Sequence, residues 1–226
     1  MDRQKMDFSK LERLCEYRRK RSSVPWNFYH KKIYYISDII EETDKRIKNE
    51  RTLEAIREQQ VVSLVTALEV YLREMFIYVI DEKNIKSDRL LDSINKNLSL
   101  LEVITLHKKM VIKKWKQAEL LANEFNFQDL NKVKEAYGKL LHLDLFSQLK
   151  KYKKTTKDGK PHQLDKDFEK KIEKILRLRH DIIHDINFRS KVSYNELIDM
   201  YNCLHFFVDI FDSYLQEKFI EKRHGK

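Results

Sequence analysis

An arginine and a histidine stand close together late in the sequence, in the stretch RHDIIH at residues 179–184. A histidine titrates near neutral pH, so it can take up or give a proton during a reaction. A guanidinium stays charged, and its planar fork of donors suits a phosphate or a carboxylate. Arg179 and His184 are therefore candidates for acid–base and anion-holding chemistry.

Arg179 is predicted to lie at the centre of an apolar helical stripe. The apolar residues around it recur at helical spacing and are Ile172, Ile175, Leu176, Ile182, Ile183 and Ile186. A guanidinium in such a seam needs an anion, because an unpaired buried charge is costly. The anion is either a phosphate in a functional site or a carboxylate in a structural ion pair. Glu69, on the apolar face of an earlier predicted helix, is the candidate carboxylate.

The spacing of Arg179 and His184 restricts how they can act together. On a straight helix, residues five positions apart point about 140° apart. The two can share a site only if the helix bends or ends near Ile183, or if a second copy of the chain lies alongside. The stripe also has a heptad-like spacing, which is typical of a helix that packs on a partner helix. We therefore predict a homodimer with a shared site.

His180 and His184 allow a different interpretation, since residues at i and i+4 on one helix face can ligate zinc. The residue after the first histidine is Asp181 rather than the glutamate of zinc proteases, however, and no clear third ligand follows nearby. The pairs His180-Asp181 and His184-Asp185 are also similar to the dyads of metal phosphohydrolases, which need further ligands from other helices. A pair of exposed polar histidines is the alternative to a metal site, and we predict no metal.

Residues 179–184 resemble the HEPN signature, which is an arginine, a polar residue and then a histidine after four to six intervening positions, late in an all-α domain. Two earlier segments resemble the RiboL-PSP-like HEPN group. One is SLVTALEVYL at residues 63–72, and the other combines FQD at 127–129 with AYG and LDL further on. The resemblance covers about residues 61–215. This sequence departs from the family at His180, where asparagine is commoner.

The resemblance implies an all-α, HEPN-like up-and-down helical bundle with an extra N-terminal helix. It also implies a metal-independent endoribonuclease without a cofactor, in which the ribose 2′-OH attacks the adjacent phosphorus and leaves a 2′,3′-cyclic phosphate. His184 would be the general acid/base and Arg179 the phosphate clamp. His180 and Asp181 would support them, and Glu69 would orient Arg179.

The same resemblance implies a toxin or an anti-phage defence effector, with RNA as substrate and an antitoxin or immunity protein as partner. Two other functions stay open from the sequence. The chain could be a catalytically silent HEPN module that binds RNA or protein. It could also be an unrelated helical interaction protein in which the motif is accidental.

The charge balance favours a polyanionic partner. Lys and Arg number 46 against 36 Asp and Glu, which gives a net charge of +10. One lysine-rich stretch spans residues 149–162, with Tyr152 available for base stacking, and another surrounds Trp115. An ordinary solvated surface is the alternative for both stretches. The predicted RNA-binding residues are Lys150, Lys151, Lys153, Lys154, Lys157 and Lys160.

Composition favours long helices. The sequence has 3 glycines and 2 prolines, which is too few for a glycine-rich phosphate loop or a many-stranded sandwich. Hydrophobic residues reach 42%, so a core can form. The longest run without Asp, Glu, Lys or Arg is ten residues, against roughly 20 needed to span a membrane. Two cysteines indicate a reducing compartment, and we predict a cytoplasmic protein without a membrane partner.

Capping and breaking residues predict the positions of the helices within one domain over residues 1–226. Asp129 is a predicted N-cap, and Ser193 with Glu196 forms a predicted capping box. The domain is predicted to have a core at about 61–215, an N-terminal helical extension at about 1–50 and a basic loop at about 149–162. The predicted helices cover residues 8–20, 27–81 with a joint at 48–49, 130–139, 164 to past 184, and 194 to about 221.

Overall fold

The computed structural model describes residues 24–83, 117–155, 161–185 and 190–220. This part of the chain is helical apart from turns and one short pair of strands, so the predicted all-α class is confirmed. The predicted helix at residues 8–20 and the lysines around Trp115 lie outside the described residues. The described elements, numbered in chain order, are α1 (Pro25–Arg46), α2 (Glu50–Lys83), α3 (Gln117–Asn123), α4 (Leu130–Leu141), α5 (Leu145–Lys151), β1 (Lys154–Thr155), β2 (Pro161–His162), α6 (Phe168–His184), α7 (Tyr194–Leu215) and a π-helical turn (Gln216–Ile220).

Helix α2 is the frame on which the other helices pack. It has 34 residues, and α1, α3, α6 and α7 all contact it. A helix that is apolar on most sides must be buried, and α2 fits this rule in its middle turns. The almost fully buried residues of these turns are Val61, Leu64, Val65, Leu68, Leu72, Met75 and Phe76.

The joint between α1 and α2 lies where the sequence predicts it. Helix α1 starts with Pro25, which suits a first turn because no N–H is needed there. Between α1 and α2, the Asn49 Oδ1 accepts a hydrogen bond from the Thr52 backbone N–H at 3.0 Å. This bond satisfies one of the free donors at the start of α2. The α1 residues buried in the core at helical spacing are Tyr29, Ile33, Ile36 and Ile40.

Both predicted caps are confirmed. The Asp129 carboxylate accepts from the Asn131 backbone N–H at 2.8 Å and thereby starts α4. Ser193 and Glu196 form the reciprocal capping box that opens α7, with Ser193 N–H donating to Glu196 Oε2 at 2.9 Å. Helix α4 ends at His142, whose φ of 54° is in the left-handed region. Local chemistry therefore fixes the ends of the helices that flank the candidate site.

Helix α6 differs from its prediction in two ways. It starts at Phe168 rather than at residue 164, because Leu164 is buried from the preceding turn and so extends the apolar pattern beyond the helix. The apolar stripe of α6 also packs inside the chain's own helical bundle, since Ile172 and Ile175 are at most 5% exposed. The prediction that these residues face a partner helix is therefore wrong, because the chain's own bundle covers them.

The basic segment at residues 149–162 is only partly a loop. Helix α5 continues through Lys151, and β1 and β2 then pair in an antiparallel ladder with Lys154 opposite His162. Residues 156–160, which join the two strands, lie outside the described part. The predicted loop is therefore an end of a helix followed by a short hairpin.

The buried residues of the described helices form one apolar cluster. Two tyrosines tie this cluster together by hydrogen bonds, since Tyr137 Oη donates to the Leu72 carbonyl at 2.7 Å and Tyr71 Oη donates to Asp212 Oδ1 at 3.1 Å. Among the described helices, none is long and apolar enough to cross a membrane.

Candidate active site

Helix α6 runs without a break through both residues of the motif. The helix ends directly after His184, where Asp185 is extended and its N–H donates to the Asp181 carbonyl at 3.0 Å. His184 is thus still helical, and its direction differs from that of Arg179 by about 140°. The helix is continuous between the two residues and ends only after His184, so no break in it brings them together within one chain.

Arg179 lies at the edge of the buried seam, where its side chain is half-buried. Its Nη1 donates to the amide oxygen of Gln128 at 3.2 Å. Its Nε is buried and has no hydrogen-bond partner among the described residues. A guanidinium has five N–H donors, so most of the donor capacity of Arg179 is not used by the bond to Gln128.

Gln128 connects Arg179 to a buried ion pair on α2. The Gln128 Nε2 donates to Glu69 Oε2 at 2.6 Å. The other oxygen of Glu69 accepts from Arg73 Nη2 at 2.8 Å, and the side chains of Arg73 and Glu69 are only 13% and 15% exposed. Glu69 therefore reaches Arg179 through an amide, and the direct Glu69–Arg179 ion pair considered from the sequence is not formed.

The neutral Gln128 amide between Glu69 and Arg179 affects the charge around Arg179 as well as its position. Arg73 balances the charge of Glu69, and Gln128 is neutral. Within the described part of the chain, no carboxylate bonds directly to Arg179, so its positive charge is not offset there. Such an arginine is held in position and can still attract an anion.

A groove of about 450 Å³ opens beside Arg179, between α6 and the start of α4. It contains hydrogen-bonding groups of the kinds that a nucleotide needs, namely cations for phosphate and amides for base edges. The polar residues that supply these groups are Asn126, Gln128, Asn131, Arg177, Arg179 and His180. Two carboxylates also line the groove, those of Glu173 and of the N-cap residue Asp129. The groove is therefore chemically suited to a nucleotide.

His180 and His184 form an exposed pair at the end of α6. Their ring centroids are 4.5 Å apart, as expected for residues one turn apart on a helix. His180 lines the groove, and His184 follows it toward the helix end. Asp181 is half-buried, and Ile183 beside the histidines is 44% exposed.

Within the described ranges, no three His, Cys, Asp or Glu side chains are gathered closely enough to hold a metal ion. His180 and His184 are adjacent, but no carboxylate or thiol of the described residues completes a ligand set with them. The structure pairs His180 with His184 at the end of α6, whereas Arg179 on the same helix points away from His184 and is linked through Gln128 to Glu69.

Two of the predicted RNA-binding lysines already have carboxylate partners. Lys150 Nζ lies 2.5 Å from Glu169, and Lys154 Nζ lies 2.7 Å from Asp209. Lys151 and Lys153 are exposed. Lys157 and Lys160 lie outside the described residues.

Tyr152, predicted to be available for base stacking, is used inside the fold. Its Oη donates to Glu217 at 2.8 Å, and its ring packs edge-on against Tyr214 at 5.3 Å. The prediction that Tyr152 stacks on bases is therefore wrong, because the ring is taken up by the end of α7 and the π-helical turn.

Sequence reasoning gave no role to Gln128 or Arg73. The residues FQD at 127–129 carried part of the family resemblance, and the N-cap at Asp129 places Gln128 at a fixed distance from the start of α4. That Gln128 then reaches two other helices depends on tertiary packing, because its partners are 51 and 59 positions away in sequence.

Comparison with known proteins gives one match. A family model described as RiboL-PSP-HEPN matches residues 27–217. This range contains every described helix except the first two residues of α1 and the last three of the π-helical turn, together with the groove and the end of α6. No curated protein and no solved structure matches the chain significantly.

Proposed function

The chain belongs to the RiboL-PSP-HEPN family, and on this premise we propose that it is a metal-independent endoribonuclease that cleaves single-stranded RNA. Arg179 is the phosphate clamp and His184 the general acid/base. His180 and Asp181 support His184, and Glu69 positions Arg179 through Gln128.

The observation that carries this proposal is the environment of Arg179. The guanidinium is anchored by one bond to a neutral amide and borders a groove suited to a nucleotide, and no carboxylate of the described residues bonds to it. A purely structural arginine in an apolar seam is normally neutralised by a direct carboxylate partner. The arrangement therefore favours an external anion such as the phosphate of RNA.

The proposed reaction needs only the substrate and a proton carrier. The ribose 2′-oxygen forms a bond to phosphorus while the bond from phosphorus to the 5′-oxygen breaks. The base removes the proton of the 2′-OH, and the leaving 5′-oxygen gains a proton. Histidine suits such transfers near neutral pH, and Arg179 would stabilise the charge that builds on the phosphorane oxygens.

The geometry of α6 leads us to propose that a second copy of the chain completes the site. Arg179 and His184 diverge by about 140° on one continuous helix. A twofold axis near the helix end would place Arg179 of one copy close to His184 of the other. Ile183 is 44% exposed next to His184 and offers an apolar contact there.

The defining experiment is cleavage of single-stranded RNA by the purified chain in EDTA. We expect products with a 2′,3′-cyclic phosphate and a 5′-OH, and no cleavage of an oligonucleotide with 2′-deoxyribose at the cut position. Arg179→Ala and His184→Ala should each lower the rate by roughly 10²-fold or more while leaving helical content unchanged. Activity that disappears in EDTA and returns with zinc or manganese would overturn the proposal.

One observation favours a second function, that of a catalytically silent HEPN module. Arg179 is half-buried, with its Nε enclosed, and one of its donors is occupied by Gln128. In a silent module this arginine would serve packing alone. RNA binding without cleavage, unchanged by His184→Ala, would favour this second function.

We also propose that the ribonuclease acts as a toxin or an anti-phage effector restrained by an antitoxin or immunity protein. The exposed histidines support this, since a cleavage site that faces solvent needs external control to spare host RNA. Induced expression of the unmodified chain should arrest growth of a bacterial host, and His184→Ala should not. Equal growth with both chains, at equal protein levels, would contradict the toxin role.

A further inference from the structure

The first half of α1 carries an unusual concentration of exposed aromatic rings. Tyr34 and Tyr35 are 55% and 60% exposed, and among the described residues the other exposed large apolar side chains are Val24 at 38% and Ile183 at 44%. Single exposed apolar residues are ordinary, but a cluster of them marks an interaction site.

Tyr34 belongs to a larger group of rings shared by α1 and α7, and Tyr35 is its neighbour in sequence. His30 lies 3.7 Å from Trp26 and 4.8 Å from His205, measured between ring centroids. Tyr34 lies 6.0 Å from His205. We call the aromatic surface the rings of Trp26, His30, Tyr34, Tyr35, Tyr201 and His205.

The histidines of the aromatic surface behave as uncharged rings. Burial lowers the pKa of His30, and the neighbouring His205 lowers it further. Burial also lowers the pKa of His205. Both rings are thus neutral at neutral pH and can pack in the group as flat, weakly polar surfaces.

The charged residues beside the aromatic surface include two lysines and one acid, Asp38, which is exposed one helical turn after Tyr34. Residues 25–37 contain Lys31 and Lys32 and no Asp or Glu. Both lysines are exposed, and Lys32 Nζ lies 5.7 Å from the centre of the Tyr35 ring. On α7 the one acid between residues 200 and 211 is Asp209, which is paired with Lys154.

Exposed rings flanked by lysines are the combination that binds single-stranded nucleic acid, since bases stack on the rings while cations contact the phosphates. We propose that the aromatic surface is a docking site for unpaired bases of RNA, with Tyr34 and Tyr35 as stacking residues and Lys31 and Lys32 as phosphate contacts. It shares no residue with the groove beside Arg179. It deepens the proposed function by giving a long RNA substrate a second point of attachment.

The test measures binding separately from cleavage. A fully 2′-O-methylated oligonucleotide of about 15 nucleotides cannot be cleaved by 2′-OH attack, so its Kd reports docking alone. We compare the unmodified chain with the double variant Tyr34→Ala/Tyr35→Ala and with the matched control Tyr34→Phe/Tyr35→Phe. The alanine variant should bind at least about fivefold more weakly, which is the lower end of the loss for one stacked base, and the phenylalanine control should bind normally.

A second probe separates stacking from charge. An abasic phosphodiester strand of the same length should bind the unmodified chain more weakly than the oligonucleotide does. It should also bind the alanine variant and the unmodified chain equally. In Lys31→Gln/Lys32→Gln, the salt dependence of oligonucleotide binding should become shallower by up to about 1.4, since each contacted phosphate contributes roughly 0.7 for single strands.

Equal oligonucleotide binding by the alanine variant and the unmodified chain, or no binding by either, would overturn the proposal. If light scattering then showed a changed oligomeric state in the variant, the surface would instead be a contact for a second copy of the chain. Cleavage of a trinucleotide separates this proposal from the ribonuclease proposal. It should be equal in the variant and the unmodified chain, and its absence in both would reject the ribonuclease while leaving the docking result valid.

Discussion

Gln128 presents its carbonyl oxygen to Arg179 at 3.2 Å and its amide nitrogen to Glu69 at 2.6 Å. Only one orientation of the amide satisfies both neighbours, because a guanidinium only donates and a carboxylate only accepts. Gln128 therefore fixes the position of the Arg179 side chain relative to α2 without placing a negative charge next to it.

A charge swap between positions 69 and 128 tests this arrangement. Gln128→Glu alone places two carboxylates in contact and should lower the free energy of unfolding by about 1–3 kcal/mol. Adding Glu69→Gln restores a donor opposite the new carboxylate, so stability should largely return. Cleavage should nevertheless stay below that of the unmodified chain, because the carboxylate now lies directly on Arg179 and competes with phosphate.

Urea unfolding and kcat/KM on the unmodified chain, Gln128→Glu and the double variant provide the measurement. Gln128→Leu is the control, because a leucine side chain cannot form a hydrogen bond with the glutamine of Glu69→Gln. Adding Glu69→Gln to Gln128→Leu should therefore not restore stability. A double variant that recovers both stability and full activity would show that Arg179 does not need a neutral partner.

The buried carboxyl of Asp212 should make stability depend on pH. Burial raises the pKa of Asp212 to about 7 despite the hydrogen bond from Tyr71, whereas an unfolded aspartate titrates near 4. Between these values the folded state binds a proton that the unfolded state does not, so stability falls as pH rises from about 4 to about 7. Asp212→Asn stays neutral and should remove this fall.

Urea unfolding at pH 5 and pH 8 tests whether the free energy of unfolding falls as the pH rises. The unmodified chain should lose roughly 2–3 kcal/mol more than Asp212→Asn between these two values. Asp209→Asn is a useful comparison, because after burial the Asp209 charge also raises the pKa of Asp212, so the fall should become smaller without disappearing. Parallel losses in the unmodified chain and Asp212→Asn would contradict the prediction.

The lysines of the basic segment are expected to divide into two classes. Lys151 and Lys153 are exposed, whereas Lys150 and Lys154 contact carboxylates. Lys151→Gln/Lys153→Gln should make the salt dependence of RNA binding shallower by up to about 1.4. Lys150→Gln/Lys154→Gln should change this slope less and lower the melting temperature instead.

Fluorescence anisotropy from low to high salt and a thermal melt distinguish the two classes of lysine. Equal slopes for both double variants would mean that the ion pairs do not withhold Lys150 and Lys154 from RNA. If the Lys151→Gln/Lys153→Gln variant left the slope unchanged, these two lysines would be ordinary solvated surface.

A mixture of two inactive chains tests the shared site. Arg179→Ala and His184→Ala proteins, unfolded together and refolded, form mixed dimers that keep one intact Arg179–His184 pair. With random pairing about half of the dimers are mixed and each has one of two sites, so about a quarter of the original activity should return. Adding Ile183→Asp to both chains should abolish this recovery.

Light scattering at the assay concentration accompanies the mixing experiment. An active monomer would rule out the shared site, and so would a mixture that stays at background while its dimers form normally. Each result would mean that one chain supplies all of the catalytic groups.

Local signals allowed much of the fold to be predicted. Asp129, the Ser193–Glu196 box and the joint at residues 48–49 all depend on bonds between residues a few positions apart, and each is confirmed. The start of α6 was predicted too early because Leu164 packs into the core without being helical. The spacing of apolar residues indicates which side chains are buried. It does not distinguish a helix from a turn that contributes one apolar side chain to the core.

The site was less predictable because its contacts are distant in sequence. The positions of Arg179 and His184 on one helix could be derived from spacing alone. The link through Gln128 and the pairing of Lys154 with Asp209, 55 residues away, could not. These contacts depend on which helix faces become neighbours in the bundle. That arrangement is set by tertiary packing and cannot be derived from the spacing of residues along the sequence.

The length of α2 has a consequence for how the molecule opens. Along its 34 residues it provides Glu58 to bind Ser190, Val65 to line the groove, Glu69 to bind Gln128 and Leu72 to bind Tyr137. Local fluctuations that free one of these contacts must disturb the same helix that holds the others. We therefore expect backbone amides near Gln128 and in the middle of α6 to exchange with deuterium at the rate of the slowest core amides, as parts of one cooperative unit.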